Sequence, residues 1–362
     1  MHSNSTARTD NDNDNEARLL RRRTLAILLV FAVVTAAGLA YVKWWPYFIK
    51  ATNAIHHHTL GSSILGSGAD EGGASVWQEA WRYSLTYFNA VWKAALLGMI
   101  VSSMVQAMLP ADWLKRALGG MNVKSTLIGG AASLPGMMCS CCAAPIAAGM
   151  RRQRVSVGAA LAFWIGNPML NPATLVFMAA VLPWKFTVLR LVFGLLLTFG
   201  VSYAAGRFAD PAKLDALVRA QTEAAGELRP ADAAPLWLRW PRSFAILFAR
   251  MAPIYVAAVF LTGLLQQLLF PSWATEGAFA IALFAIVGTL FVIPTAAEIP
   301  IAQSFLAIDK GIASTLLIAL PAVSLPSLLL VSRSFPRKAL LFVAVSVVLL
   351  AMASGYVGRL WL

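Results

Sequence analysis

All 3 cysteines of the chain fall within four consecutive positions, Cys139-Ser140-Cys141-Cys142. Thiolates are soft ligands suited to Cu(I), Hg(II) or trivalent arsenic-type centres, and one short run of this kind offers two or three sulfurs at once. The run does not match a structural zinc site, which normally takes four ligands at wider cysteine spacing, and no histidine lies near it in sequence. Small apolar packing at a helix break is the plainer reading of such residues. The confinement of every thiol to this one place favours chemistry, with Cys139, Cys141 and Cys142 as the expected substrate or metal ligands.

A second candidate is Glu298, flanked by Pro294 and Pro300 in an otherwise apolar stretch. A carboxylate at the centre of a bilayer costs roughly 3 kcal/mol on insertion scales, so it is expected to face a cavity or the protein interior. There it could couple transport to protons or bind a cation, with Gln303 and Ser304 sharing its wall. Asn167 and Asn171, in Gly166-Asn167-Pro168-Met169-Leu170-Asn171-Pro172, interrupt another apolar block. Prolines free backbone carbonyls, and the amides can bond either that backbone or a solute. His56, His57 and His58 could gather a metal but read more simply as part of a polar loop. Lys93 and Arg250 are expected to snorkel from near helix ends.

The elements that must position these residues follow from composition. Hydrophobic residues make up 59% of the 362 positions and charged ones 12%. The apolar residues come in blocks of about twenty or more, long enough to cross a hydrocarbon core of ~30 Å as helices, with no strand-length alternation. The expected fold class is an all-α integral membrane protein, a polytopic helical bundle. The formal charge of +13 lies mainly between the blocks, where it acts as a topology signal rather than a nucleic-acid footprint.

Along the chain, residues 1–23 form a polar, basic-ended tail expected in the cytosol. Residues 24–44 make a first transmembrane helix, and 45–83 a His-bearing segment outside the cytoplasm. Residues 84–208 and 243–362 are two membrane repeats, joined by a polar linker over 209–242. The repeats share landmarks: Gln106, Pro110 and Trp113 echo Gln267, Pro271 and Trp273, while Pro135 and Cys139 echo Pro294 and Glu298. Arg151 echoes Lys310, Pro168 and Pro172 echo Pro321 and Pro326, and Gly206-Arg207 echoes Gly358-Arg359. Matches in order are the mark of an internal repeat.

Charge predicts how the repeats sit. With a cytoplasmic N-terminus, a full crossing by 125–150 would place Arg151, Arg152 and Arg154, and the basic linker, on the wrong side. A re-entrant hairpin broken near Pro135-Gly136 keeps them inside, and a matching hairpin over 277–308 from the other face does the same for Arg333, Arg337 and Lys338. The repeats are thus expected to be inverted, an arrangement typical of transporters, whose broken helices offer buried backbone groups to a solute.

Cys139-Ser140-Cys141, Ala144-Pro145, Ala147-Ala148-Gly149, Arg151-Arg152, the run from Val157 to Phe163, and Asn171-Pro172 together resemble the ArsP-type predicted permease family. The resemblance extends over roughly 84–362. It implies a bacterial inner-membrane exporter, with trivalent organoarsenicals as the best-known substrates and copper or zinc efflux proposed for relatives. It also implies Cys139 and Cys141 as soft-ligand thiols and Asn171-Pro172 as a helix break. Cys142, the stretch from Trp164 to Pro168, and Glu298 where a thiol might recur all depart from the commoner pattern.

The expected function is therefore secondary efflux of a thiophilic solute, without a cofactor and without enzymatic activity. Nothing resembles a nucleotide-binding loop, and no histidine stands near the thiols to serve as a base. Two alternatives remain open: transport of a sulfur-containing anion, and a membrane metal-binding assembly or sensor protein. The expected partners are the lipid bilayer and the solute, not nucleic acid.

Overall fold

The computed structural model describes residues 22, 25–57, 76–109, 111–208, 236–265 and 277–362, so the polar tail, His58 and most of the linker lie outside the described residues. Among those described, the chain is helical throughout, with no strand. It is an all-α polytopic membrane protein. Six helices are long and apolar enough to span a bilayer, and large apolar side chains such as Leu29, Val192 and Leu349 point outward from them.

The first helix, α1 (Leu25–His56), does not stop at Trp44 as expected but runs through Pro46 to the histidines. Pro46 has no N–H for the carbonyl of Val42, and the helix widens into a π turn over Ala40–Trp44 rather than breaking. His56 and His57 are therefore helical. Likewise Val76–Met108 is one helix, α2, so the stretch expected to lie at the interface before residue 84 is its first turns.

The first repeat continues with α3 (Ala111–Leu118), α4 (Val123–Ala131), α5 (Ser140–Arg152), α6 (Val157–Met169), α7 (Pro172–Val181) and α8 (Trp184–Arg207). The second contains α9 (Leu236–Leu264), α10 (Gly277–Leu290), α11 (Glu298–Leu306), α12 (Lys310–Ala322), α13 (Leu325–Val331) and α14 (Arg337–Trp361). The order recurs: a long helix, a pair of short helices, a split helix and another long helix. The short helices of 9, 13, 14 and 9 residues rise about 13 to 21 Å each, too little to cross a hydrocarbon core of ~30 Å.

Packing repeats as well. The split helix forms the centre of each half: α6 lies against α4, α5 and α8, and α12 against α10, α11 and α14. Gly206 near the end of α8 meets Gly158 of α6, and Gly358 near the end of α14 meets Ser314 of α12. The halves also exchange contacts. α5 of the first packs on α13 of the second, and Ile299 and Ala302 of α11 join Phe177 and Met178 of α7 in an apolar cluster.

One expected equivalence changes. Arg151 ends α5 whereas Lys310 begins α12, so they occupy different elements. Nor is Arg151 merely a topology anchor: it is 2% exposed, donates to the carbonyl of Val155 and stands over the Phe335 ring. Gln267, Pro271 and Trp273 lie outside the described residues.

Candidate functional site

Each hairpin turns through a non-glycine residue in the left-handed region, Met137 (φ 48°) before α5 and Ala296 (φ 70°) before α11. Such conformations are uncommon away from glycine and persist where the surroundings impose them. In each case the residue two positions on is the candidate functional group. Cys139 is the N-cap of α5, and Glu298 is the first residue of α11. The two tips meet at a small cavity of about 10 Å³, lined by Cys139, Ser140, Thr295, Glu298 and prolines Pro168, Pro294 and Pro321.

The three thiols are free and buried, but they do not converge. Cys139 and Cys142, one helical turn apart, bring their Sγ atoms within 3.1 Å. Cys141 points elsewhere: its Sγ is 3.2 Å from Ser324 Oγ, in the break between α12 and α13, and it also borders a separate cavity of about 190 Å³. That cavity is apolar, walled by Phe88, Trp92, Met99, Phe248 and Tyr255 of α2 and α9. Among the described residues, no three His, Cys, Asp or Glu side chains gather as a metal cluster would.

The cysteine run is held by its neighbours. The indole of Trp164, fully buried in α6, donates to the carbonyl of Ser140 at 2.9 Å. Gly98 lets α2 approach so closely that a Cβ there would stand 2.4 Å from the Cys142 carbonyl oxygen. Ser102 donates to the Pro145 carbonyl at 2.5 Å.

Glu298 is 2% exposed and pairs with Arg190 of α8 at 2.9 Å, while its other oxygen has no hydrogen-bond partner. Arg190 also explains how the split helices tolerate their prolines. Pro172 cannot donate to the carbonyl of Pro168, nor Pro321 to that of Leu317. Arg190 supplies both, Nη2 donating to Pro168 at 2.8 Å and Nη1 to Leu317 at 3.3 Å. One guanidinium thus satisfies an orphan carbonyl in each repeat and neutralises the carboxylate between them.

The amides expected to face a solute bond mainly to backbone groups in this arrangement. Asn167 accepts from Met138 N–H at 3.4 Å and donates to Phe163 at 2.9 Å, tying the first hairpin turn to α6. Asn171 caps α7 by accepting from Ala173 and Thr174 N–H, leaving only its Nδ2 unpartnered. Gln303 and Ser304 lie five and six residues beyond Glu298, which turns them to other faces of α11. Neither lines the small cavity, and Ser304 bonds the carbonyl of Ile301.

Lys43, Arg190, Thr295 and Ser324 were not singled out from sequence. Arg190 carried a readable signal, since an ionisable residue well inside an apolar block is a site candidate by default. Lys43 falls in the last turn of the expected first helix. In the structure it is 6% exposed, and its Nζ donates to Tyr47 at 3.0 Å and to Thr295 at 3.3 Å. Trp44 beside it donates to the Pro135 carbonyl at 2.9 Å. Lys93 stands over the rings of Tyr41 and Trp92.

Two like halves of long and broken helices, with polar and charged groups buried where the breaks meet, define a multi-pass membrane protein of the permease class. The chain belongs to the ArsP_1 family, described as predicted permease, whose model matches residues 77–360. It is similar to UPF0718 protein YraQ of Escherichia coli (strain K12), 47% identical over 319 residues that cover 86% of this chain and 88% of that protein. No solved structure matches it.

Proposed function

We propose that this permease is a secondary exporter of a thiol-reactive solute, captured at the tip of the first hairpin. The observation that carries this reading is the pairing of Cys139 and Cys142 at 3.1 Å, with Cys139 lining the small cavity that Glu298 also lines. A trivalent organoarsenical is the solute class that fits best. Two thiols displace its two hydroxyls as water, forming two As–S bonds without change of oxidation state. A metal ion bound by all three cysteines fits less well, because Cys141 faces away from the pair. Export, rather than uptake, follows from the family resemblance.

In this reading the two hairpins enter from opposite faces of a bacterial inner membrane, with the N-terminus in the cytoplasm as the arginine-rich segments favour. Glu298 carries the coupling proton: its protonation would loosen the pair with Arg190 and release the second hairpin tip. The sulfur-anion alternative keeps one observation in its favour, the surplus of buried positive charge around the site.

The test is resistance to methylarsenite, arsenite, Cu(I) and Hg(II) in a sensitised host at matched protein levels. Methylarsenite resistance that disappears in Cys139→Ser/Cys142→Ser and survives in Cys141→Ser is the expected result. No resistance to any of the four in wild type would sink the reading.

A further inference from the structure

Lys43 reaches the site from α1, which precedes the segment matched by the family. Most of α1 faces outward, and its buried residues fall on one stripe, Leu39, Lys43, Tyr47 and Ala54, at spacings of four, four and seven. The π turn lies on this stripe and contains Lys43. The ammonium donates to Thr295, a wall residue of the cavity that also contains Cys139 and Glu298.

The charges around this cavity do not cancel. Arg190 and Glu298 neutralise one another at 2.9 Å, leaving Lys43 as the surplus. The N-termini of α5 (13 residues) and α11 (9 residues) end at the same cavity, and helix N-termini carry partial positive charge. At membrane depth such charges are weakly screened. The buried, unpartnered oxygen of Glu298 is an acceptor, so it suits a hydrogen-bond donor such as the hydroxyl of a neutral solute.

We infer that Lys43 sets the charge selectivity of the thiol site: the permease admits its soft solute as a neutral or anionic species and excludes bare cations such as Cu(I) or Ag(I). This rests on the thiol-capture reading and adds to it a specificity residue from outside the family-matched segment. It places the sequence-derived copper expectation behind organoarsenicals and behind sulfur-bearing anions.

The charge preference is measurable without knowing the natural solute. Purified full-length protein with Cys141→Ser, reconstituted in liposomes, is labelled with three methanethiosulfonates: neutral methyl, anionic sulfonatoethyl and cationic trimethylammonioethyl. Labelling of the Cys139 and Cys142 pair is followed as intact mass. Rates are divided by the neutral reagent's rate at the same thiol, which removes any change in thiol reactivity, and by the three reagents' relative rates with a small free thiol. The expected result is a preference for the anionic over the cationic reagent of about tenfold, falling to roughly parity in Lys43→Gln and reversing in Lys43→Glu. Lys93→Gln, which removes a lysine outside the site, should leave it unchanged. A wild-type ratio near one, or a preference that persists in Lys43→Gln, overturns the inference while leaving thiol capture intact. Failure of even the neutral reagent to label overturns the capture reading and this one together.

Discussion

Arg190 and Glu298 stand 2.9 Å apart across the boundary between the two repeats, with neither side chain reaching solvent. The arginine belongs to the last helix of the first half and the carboxylate to the broken hairpin of the second. Because the same guanidinium also takes the orphan carbonyls of Pro168 and Leu317, the pair is a joint between halves rather than an isolated ion pair.

Arg190→Leu strands a buried carboxylate and two carbonyls, a loss of about 3–5 kcal/mol for breaking a buried pair from one side. Thermal unfolding in detergent should show a large drop or no folded protein. Arg190→Leu/Glu298→Leu should recover part of that loss, since the unpaired charge is gone. A double variant no better than the single would show that the carbonyl contacts, not the ion pair, carry the stability.

Glu298→Gln keeps the shape and an acceptor for Arg190 but removes the titrating group. Folding should survive with a cost of about 1–3 kcal/mol, and proton-driven transport in proteoliposomes should be lost while solute binding remains. Transport that still follows an imposed proton gradient would assign the coupling elsewhere.

Gly98→Leu places a branched side chain where even a Cβ would stand 2.4 Å from the carbonyl of Cys142. Overpacking of this kind costs about 1–3 kcal/mol. It should push α2 from α5 and disturb the thiol pair, read as a lower melting temperature and altered labelling of Cys142. Unchanged labelling would mean that the other contacts of α5, from Trp164, Ser102 and α13, hold it without Gly98.

Asn171→Ala should cost about 1 kcal/mol, the usual value of an N-cap, and Asn171→Asp or Asn171→Ser should restore most of it. Solute affinity in the folded variants should stay within about twofold. A larger loss of affinity in all three would return Asn171 to the binding site.

Much of this was readable because membrane proteins write their constraints in composition. The apolar blocks marked the spans, and the proline spacing anticipated where α5 and α11 begin. Cys139 and Glu298 could be paired from sequence because each stands four residues after a proline at a hairpin tip. Side-chain partnership was not readable in the same way. Asn167 looked available to a solute, yet its amide is spent on Met138 and Phe163, a contact between elements that no local pattern encodes. The same holds for Lys43 and Arg190, whose partners lie far along the chain. The resemblance points to Cys139 and Cys141 as the soft ligands, whereas the helix brings Cys139 and Cys142 together on one face and turns Cys141 toward Ser324.

The bond between Lys43 and Thr295 joins residues 252 positions apart. During synthesis at ordinary rates, the lysine enters the membrane roughly 10 to 50 s before its partner exists. A lone ammonium in lipid is costly, and in that interval it must reach toward the headgroups. Trp44 and Gly38 can already rest on Pro135 and Leu97 of the first repeat, so only the last contact of α1, that of its ammonium, waits for the second hairpin.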